Sequence, residues 1–177
     1  MSCRLEPAFT VAVGLSRKLV LAGMDDKNQW FFSDGGYSEN LMLEHQPNTN
    51  IFENFVVLDD SGIVAYFNAM WNKSLNIIVS FRLILFEANK CVSAMKCFFE
   101  YLDYLFINRG CKSFNWIVAE KNEYALALYQ KFIKKQLGHL VGKRHYGQKS
   151  YTGEISDIYL FEITDKEFFY WKNRRKK

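Results

Sequence analysis

The sequence predicts a single α+β domain built around a mixed sheet, and three observations support this. Short apolar strands come first, then a strongly amphipathic helix, and then a strand, a second helix and a closing pair of strands. The 177 residues contain two prolines and neither a Gly/Ser-rich linker nor an internal repeat, so one cooperative unit over 1–177 is expected. Aromatic residues make up 17% of the chain, which is ample area for a packed core.

The first half of the chain predicts a hairpin and a central strand. Residues 1–50, a variable N-terminal part, carry the weakest pattern: a helix over 11–23, a loop over 33–36 and a short helix over 37–45 are expected. An apolar run over 55–58, a polar turn and alternation from Ile63 to Trp71 predict a β-hairpin. The run over 77–86 is apolar on both faces, which is typical of a central strand covered on each side.

The second half predicts alternating helices and strands. Apolar residues recur at three- and four-residue steps from Met95 to Phe106, and Gly110 follows as a stop signal, so a helix of about five turns is expected. The remaining predicted elements are a strand over 113–119, a helix over 122–134, strands over 138–145 and 154–163 joined by a polar loop containing Gly147 and Gly153, and a final helix over 165–175.

Charge and cysteine content narrow the function classes. The net charge of +4 is concentrated in a basic tail, residues 172–177, which holds five of the 23 basic groups and leaves 18 against 19 acidic groups elsewhere. This balance favours neither nucleic-acid nor membrane binding. No run reaches the ~18 apolar residues of a membrane span, and a signal peptide over 9–24 would contain Arg17 and Lys18, so a cytoplasmic protein is expected. The four cysteines have no metal-site spacing and are expected to be free thiols, with no metal bound.

A motif near the middle of the second half carries a resemblance. Its residues fit the pattern Asn-x-x-Ala-x-x-Leu-Tyr-x-Lys directly after a strand and at the start of a helix, and they are Asn122, Ala125, Leu128, Tyr129 and Lys131. With the order of elements around it, the segment over about 52–169 resembles the GNAT acetyltransferase superfamily. Residues 140–144 and 156–162 are similar to that family's last two strands. The resemblance implies a mostly antiparallel central sheet flanked by helices.

The resemblance also implies acetyl-CoA as co-substrate and a primary amine as acceptor, on a small molecule or on a protein N-terminus or lysine. In that family the turn before the long helix holds the CoA pyrophosphate, and the matching residues are Asn89, Lys90, Cys91, Val92, Ser93 and Ala94. Val92 stands where the family has glycine, and a β-branched residue keeps a phosphate further from the backbone. Lys90 and Lys96 could supply compensating charge. The alternative is an ordinary helix start capped by Asn89 or Ser93.

The family's chemistry assigns further roles. Acetyl transfer needs a proton for the departing thiolate, and Tyr129, which matches the family's helix tyrosine, is the implied general acid; the alternative is a packed tyrosine with a locally satisfied hydroxyl. Asn122 would cap its helix and, by resemblance, contact pantetheine. The backbone at Leu83 and Leu85 would face the pantetheine amides, and the Leu85 N–H would polarise the thioester.

Two carboxylates and two rival functions complete the prediction. Glu87 is the candidate general base, with a solvated glutamate capping the next helix as the alternative, and Asp157 is a second candidate. A non-catalytic GNAT-like scaffold, or binding module with weakened CoA binding, is the rival to an enzyme. A third reading binds nucleic acid through the aromatic and basic tail, although such tails more often pack their aromatics on the domain. The acceptor and the oligomeric state, including a homodimer, stay open.

Overall fold

A computed structural model describes residues 3–23, 51–150 and 153–175. The described residues form one seven-stranded sheet flanked by helices. The strands are β1 Arg4–Pro7, β2 Phe52–Asp59, β3 Gly62–Asn72, β4 Ile77–Leu85, β5 Ser113–Ala119, β6 His139–Lys149 and β7 Ile155–Thr164. The helices are α1 Ala12–Gly23, α2 Cys91–Asp103, α3 Glu123–Lys134 and α4 Asp165–Arg174. No helix among these residues is both long enough and apolar enough to cross a bilayer.

The sheet is mixed, which confirms the predicted fold class. Its strand order is β1-β2-β3-β4-β5-β7-β6, and every neighbouring pair is antiparallel except the central β4 and β5. The parallel pair is short, because only Ile77 and Ile78 of β4 are in register with β5, opposite Ser113 and Phe114. Beyond that point the two strands separate, and this separation creates the central cleft of the molecule.

Most predicted elements are confirmed to within a few residues. The hairpin forms as β2 and β3, and the strand predicted over 113–119 is β5. One prediction is wrong: β6 continues to Lys149, so Gly147 lies inside the strand and not in the loop. A side chain at Gly147 would meet Ile158 of the neighbouring strand at 2.3 Å, so glycine here serves close strand packing. The loop over 33–36 and the helix over 37–45 lie outside the described residues.

The core lies on both faces of the sheet and is largest beneath α2, α3 and α4. On that face aromatic rings from β3, β4, β5 and β7 interlock with rings from α2, α3 and α4, with Phe81 and Phe114 at a centroid distance of 4.8 Å and Phe98 and Phe132 stacked at 5.8 Å. The opposite face is smaller and packs α1 on Val56, Tyr66 and Ile84. The larger core therefore supports the helices that border the cleft.

The aromatic part of the C-terminal segment packs on the domain. Phe168 is fully buried and stacks on Phe106 at 4.6 Å, while Trp171 stacks on Phe99 at 5.3 Å. Lys172 bonds Asp103 at the end of α2. A capping box between Thr164 and Glu167 starts α4, satisfying donors that a helix N-terminus otherwise leaves open. This is the packing that such tails usually adopt.

Candidate functional site

The site begins where β4 and β5 part. At the base of the cleft the side-chain amide of Asn115 donates to the carbonyl oxygen of Ile78 at 2.9 Å and so closes the gap between the strands. Above this point β5 continues to pair with β7, and β4 continues to pair with β3, but no register joins β4 to β5. The two strands thus form a V whose open end lies at their carboxyl termini.

The alternation of hydrogen bonds along β4 shows which backbone groups face the gap. The Phe86 N–H donates to the carbonyl oxygen of Val64 on β3 at 3.0 Å. In an antiparallel pair, bonding groups point to the partner at every second residue. Phe86, Ile84 and Arg82 therefore direct their backbone groups to β3, and no register shift interrupts this stretch. The backbone N–H and C=O groups of Leu83 and Leu85 consequently face the cleft, where β5 no longer pairs with β4.

The N-terminus of α2 lies directly after β4, at the open end of the cleft. A short 3-10 turn over Ala88–Lys90 leads into the helix, whose first helical residue is Cys91. Lys90 occupies the N-cap position and no side chain caps the helix there. The expected alternative, a cap by Asn89 or Ser93, is therefore wrong. Amide groups at a helix start without a side-chain cap are available to an anion or to water.

Of the predicted pyrophosphate turn, Asn89 and Lys90 lie in the 3-10 turn, and the other residues already belong to α2. Cys91, Val92, Ser93 and Ala94 form the first turn of α2, and Ser93 and Ala94 are buried. Val92 is 83% exposed, so its side chain is surrounded mainly by solvent. Beside this turn lies a cavity of about 520 Å³ whose lining residues are Cys3, Asn89, Lys90, Val92, Ser93 and Lys96.

Lys90 does not serve as a free cation at this turn, which corrects the expected role. Its ammonium group lies 2.9 Å from the carboxylate of Asp59, and both side chains are largely buried. Hydrogen bonds from Ser61 and then from Lys90 lower the pKa of Asp59 to about 2, while this pairing raises the pKa of Lys90. Lys96 lines the same cavity and has no ion pair among the described residues. It is the cation that remains available there.

Tyr129 lies on the helix-facing side of β5, beyond the last residue that pairs with β4. Its ring contacts Trp116 at 5.0 Å and Phe161 at 5.9 Å, and it is 8% exposed. Burial raises the pKa of Tyr129, so the phenol is protonated throughout the neutral range. Its hydroxyl has no hydrogen bond in the part of the chain that the structure describes, so the alternative of a locally satisfied hydroxyl finds no support.

Trp116 is a candidate site residue that sequence reasoning missed. It lies in β5 two residues past Phe114, where pairing with β4 ends, and its buried indole N–H has no partner among the described residues. Trp71 shares this property but lies at the far end of β3, under the guanidinium of Arg109. Unpartnered buried donors are rare in folded proteins and call for an explanation. The only sequence signal is an aromatic residue with a polar atom in an otherwise apolar strand.

Asn122 caps α3 as predicted. Its side-chain oxygen accepts a hydrogen bond from the N–H of Ala125 at 3.2 Å. This contact fixes the start of the helix that carries Tyr129, and so links the motif's first residue to the position of its tyrosine. The contact between Asn122 and pantetheine stays a prediction.

The two candidate bases have different surroundings. Glu87 follows β4, keeps a partly exposed side chain and forms an ion pair with Lys18 of α1 at 3.4 Å. It does not cap α2. Asp157 accepts hydrogen bonds from the Tyr146 N–H and from Lys143, and these contacts lower its pKa to about 2. A carboxylate this acidic accepts a proton poorly at neutral pH, so Asp157 is a weak candidate.

Comparison by sequence finds no matching family model and no matching curated protein. Comparison by structure identifies the fold. A spermidine N-acetyltransferase from Vibrio cholerae, solved in complex with CoA and spermine, superposes with a TM-score of 0.74 at 16% identity over 94% of this chain and 98% of that one. A GCN5-related N-acetyltransferase from Brucella melitensis superposes with a TM-score of 0.73 at 17% identity over 97% and 79%.

A chimera of the Vibrio cholerae enzyme SpeG and hSSAT superposes with a TM-score of 0.73 at 16% identity, covering 96% of this chain and 99% of the chimera. The chain therefore has the GNAT fold that its motif predicted. At such low sequence identity the superpositions establish the fold alone. The chemistry has to be argued from the residues of the cleft.

Proposed function

We propose that this chain is an acetyl-CoA-dependent N-acetyltransferase that transfers the acetyl group directly to a primary amine, on a small molecule or on a protein N-terminus or lysine. The observation that supports it best is the cleft between β4 and β5. One wall of the cleft is formed by the backbone of Leu83 and Leu85, which does not pair with β5. Tyr129 and Trp116 lie past the point where the pairing of β4 with β5 ends. An unpaired strand edge is suited to the two amides of a pantetheine arm.

The residues at the open end would hold the rest of the co-substrate. The segment Asn89 to Ala94 leads into α2, and the first amide groups of that helix, which no side chain caps, would receive a pyrophosphate, with the Lys96 ammonium at the same cavity. The Leu85 N–H would donate to the thioester oxygen, where negative charge develops as the amine attacks. Asn122 would contact the pantetheine arm in addition to capping α3.

Tyr129 would act as the general acid. A departing thiolate has a conjugate acid with a pKa of about 8.5, so it benefits from a proton donor in a site that excludes water. Because burial raises the pKa of Tyr129, the phenol is protonated at neutral pH, and its O–H would donate to the sulfur as negative charge develops there. The ring of Trp116 lies 5.0 Å from that of Tyr129, and its indole N–H, which has no partner among the described residues, would add a second donor that stabilises charge on sulfur without losing its proton.

Glu87 would act as the general base. An amine with a pKa near ~10.4 is mostly protonated at neutral pH and must lose a proton before it attacks. Glu87 follows β4 at the open end of the cleft, and its ion pair with Lys18 orients the carboxylate. A proton could pass from the amine to this carboxylate through water.

A non-catalytic scaffold is the second candidate, and two specific observations favour it. Val92 replaces the glycine that the family places at the pyrophosphate turn, and Lys90 is engaged by Asp59. Both features weaken phosphate binding at the start of α2. In this alternative the cleft or the tail would recruit another protein in place of acetyl-CoA.

Calorimetric titration with acetyl-CoA separates the two candidates. The enzyme should bind acetyl-CoA with a dissociation constant in the micromolar range and release free thiol when an amine acceptor is added. The acceptor panel should contain spermidine and spermine, because a structural neighbour is a spermidine N-acetyltransferase bound to spermine, together with peptides carrying a free N-terminus or a lysine. Absence of binding heat at high protein concentration would support the scaffold.

A further inference from the structure

Two of the four cysteines, Cys3 and Cys97, lie together where the N-terminal part of the chain meets α2. Cys97 belongs to the buried stripe of α2 and is fully buried in the larger core. Cys3 immediately precedes β1, is partly exposed and packs against the same core. The two residues are far apart in the sequence, so only the fold brings their side chains together.

Both thiols lie beside one backbone carbonyl group of α2. The S–H of Cys3 donates to the carbonyl oxygen of Ser93 at 3.6 Å. The same carbonyl accepts the backbone N–H of Cys97, because hydrogen bonds in an α-helix run from residue i to residue i−4. Helical side chains lean towards the helix N-terminus, so the Cys97 thiol also lies over this turn. There it forms a side-chain hydrogen bond with Cys3.

The two thiols differ in their access to solvent. Cys3 lines the cavity of about 520 Å³ beside the first turn of α2, so a small molecule in that cavity can reach its sulfur. Cys97 has no exposed surface, and burial, followed by the hydrogen bond with Cys3, raises the pKa of its thiol. A buried thiol that stays protonated reacts poorly with a dissolved oxidant. Cys97 is therefore placed to react with the sulfur already beside it.

The other two cysteines are not placed to compete for this contact. Cys91 and Cys97 are six residues apart, so at about 3.6 residues per turn they occupy different faces of α2. Cys111 is buried beyond the end of α2, and its S–H donates to the carbonyl oxygen of Ser113 at 3.2 Å. Cys3 and Cys97 are therefore the pair of thiols that the fold selects for bond formation.

We propose that Cys3 and Cys97 form a reversible disulfide bond when the chain is exposed to hydrogen peroxide. The Cys3 sulfur attacks one peroxide oxygen, the O–O bond breaks, and Cys3 becomes a sulfenic acid while the other oxygen leaves as water with the thiol proton. The Cys97 sulfur then attacks the Cys3 sulfur, the S–O bond breaks, and a second water leaves with the Cys97 proton. The two thiols lose two electrons, which reduce the peroxide to water. Exchange with an added dithiol restores both thiols.

The disulfide would fasten the start of β1 to α2. Among the described residues β1 is a short strand at the edge of the sheet and pairs with β2 alone. A covalent link between residues so distant in the sequence restricts the unfolded chain, so oxidation should raise Tm by about 5–15 °C. The link would also restrain the first turns of α2, where the proposed function places a pyrophosphate, but its formation does not depend on that function.

The test is treatment of the full, folded chain with hydrogen peroxide, followed by mass spectrometry. The natural chain should lose about 2 Da, and peptide mapping should recover one linked pair of peptides that contain Cys3 and Cys97. Cys3→Ser should abolish the loss and keep a donor for the Ser93 carbonyl, and Cys97→Ala should abolish it as well. Cys91→Ser removes a partly exposed thiol from the same helix, so it is the matched control and should form the link normally. Thermal unfolding checks that each variant is folded.

Three results would overturn the proposal. The first is recovery of Cys3 from the treated natural chain as a free thiol or as a sulfinic acid. The second is a link between any other pair of cysteines, within one chain or between two. The third is a linked chain whose Tm is no higher than that of the reduced chain, because the bond would then form only in a distorted fold. The expected link, its reversal by dithiothreitol to four free thiols and the higher Tm would together support it.

Discussion

Removal of the Tyr129 hydroxyl group should distinguish a catalytic role of this side chain from a contribution to the stability of the fold. Tyr129→Phe deletes the proposed proton donor and keeps the ring that packs on Trp116 at 5.0 Å. Tyr101→Phe is the matched control, because Tyr101 is also buried in the same core but its hydroxyl donates to the carboxylate of Glu53 at 3.1 Å. Both substitutions remove one tyrosine hydroxyl group. The hydroxyl of Tyr101 has a hydrogen-bond partner, and that of Tyr129 has none among the described residues.

The expected magnitudes follow from that difference. The Tyr129 hydroxyl has no partner among the described residues, so its loss should change the free energy of unfolding by no more than about 0.5 kcal/mol. Loss of a general acid should lower kcat by about 100-fold or more with little change in CoA affinity. Tyr101→Phe removes a donor from the buried Glu53 carboxylate, so it should cost about 1–3 kcal/mol of stability and leave kcat unchanged.

Three measurements on each variant decide the outcome. Urea unfolding gives the stability, titration with acetyl-CoA gives the affinity, and release of free thiol gives kcat. The reasoning is refuted if Tyr129→Phe keeps the natural turnover, or if it loses activity only in proportion to a loss of folded protein. It is also refuted if Tyr101→Phe slows turnover as strongly as Tyr129→Phe does.

Three further substitutions test other parts of the structure. Gly138→Ala should destabilise more than Gly110→Ala in urea unfolding, because both have a positive φ (+83° and +62°) but only at Gly138 would the new Cβ meet a backbone carbonyl oxygen, at 2.4 Å; equal losses would contradict this. Val92→Gly should raise CoA affinity in calorimetry at a stability cost of only a few tenths of a kcal/mol, since the side chain is exposed, whereas Val92→Ala should leave affinity unchanged. Lys143→Met should lower Tm at pH 7, because Lys143 pairs with both Glu120 and Asp157, and the difference from the natural chain should shrink as pH falls from 4.5 towards about 2. The reason is that the fold depresses the pKa of both carboxyl groups, so their stabilisation is present above the unfolded values and lost on protonation; a constant difference would contradict the assignment.

The elements of this fold were predictable where local pattern determines them. The strand over 113–119 and the helix that Asn122 caps follow from alternation, a three- to four-residue period and capping chemistry, all of which act within a few residues. The extension of β6 was missed, because the strand passes through an irregular stretch where Tyr146 has a φ of +52° before pairing resumes. Such a bulge depends on the neighbouring strand and leaves little trace in sequence.

The residues of the candidate site likewise include some that the sequence locates and others whose contacts depend on the assembled fold. Tyr129 and the turn before α2 could be located from the motif and the element order. The engagement of Lys90 could not, because its partner Asp59 is 31 residues away and reaches it only through the sheet. The unpartnered indole of Trp116 was also beyond prediction, since it depends on where the pairing of β4 with β5 stops. Charge partners and orphaned donors are properties of the assembled fold.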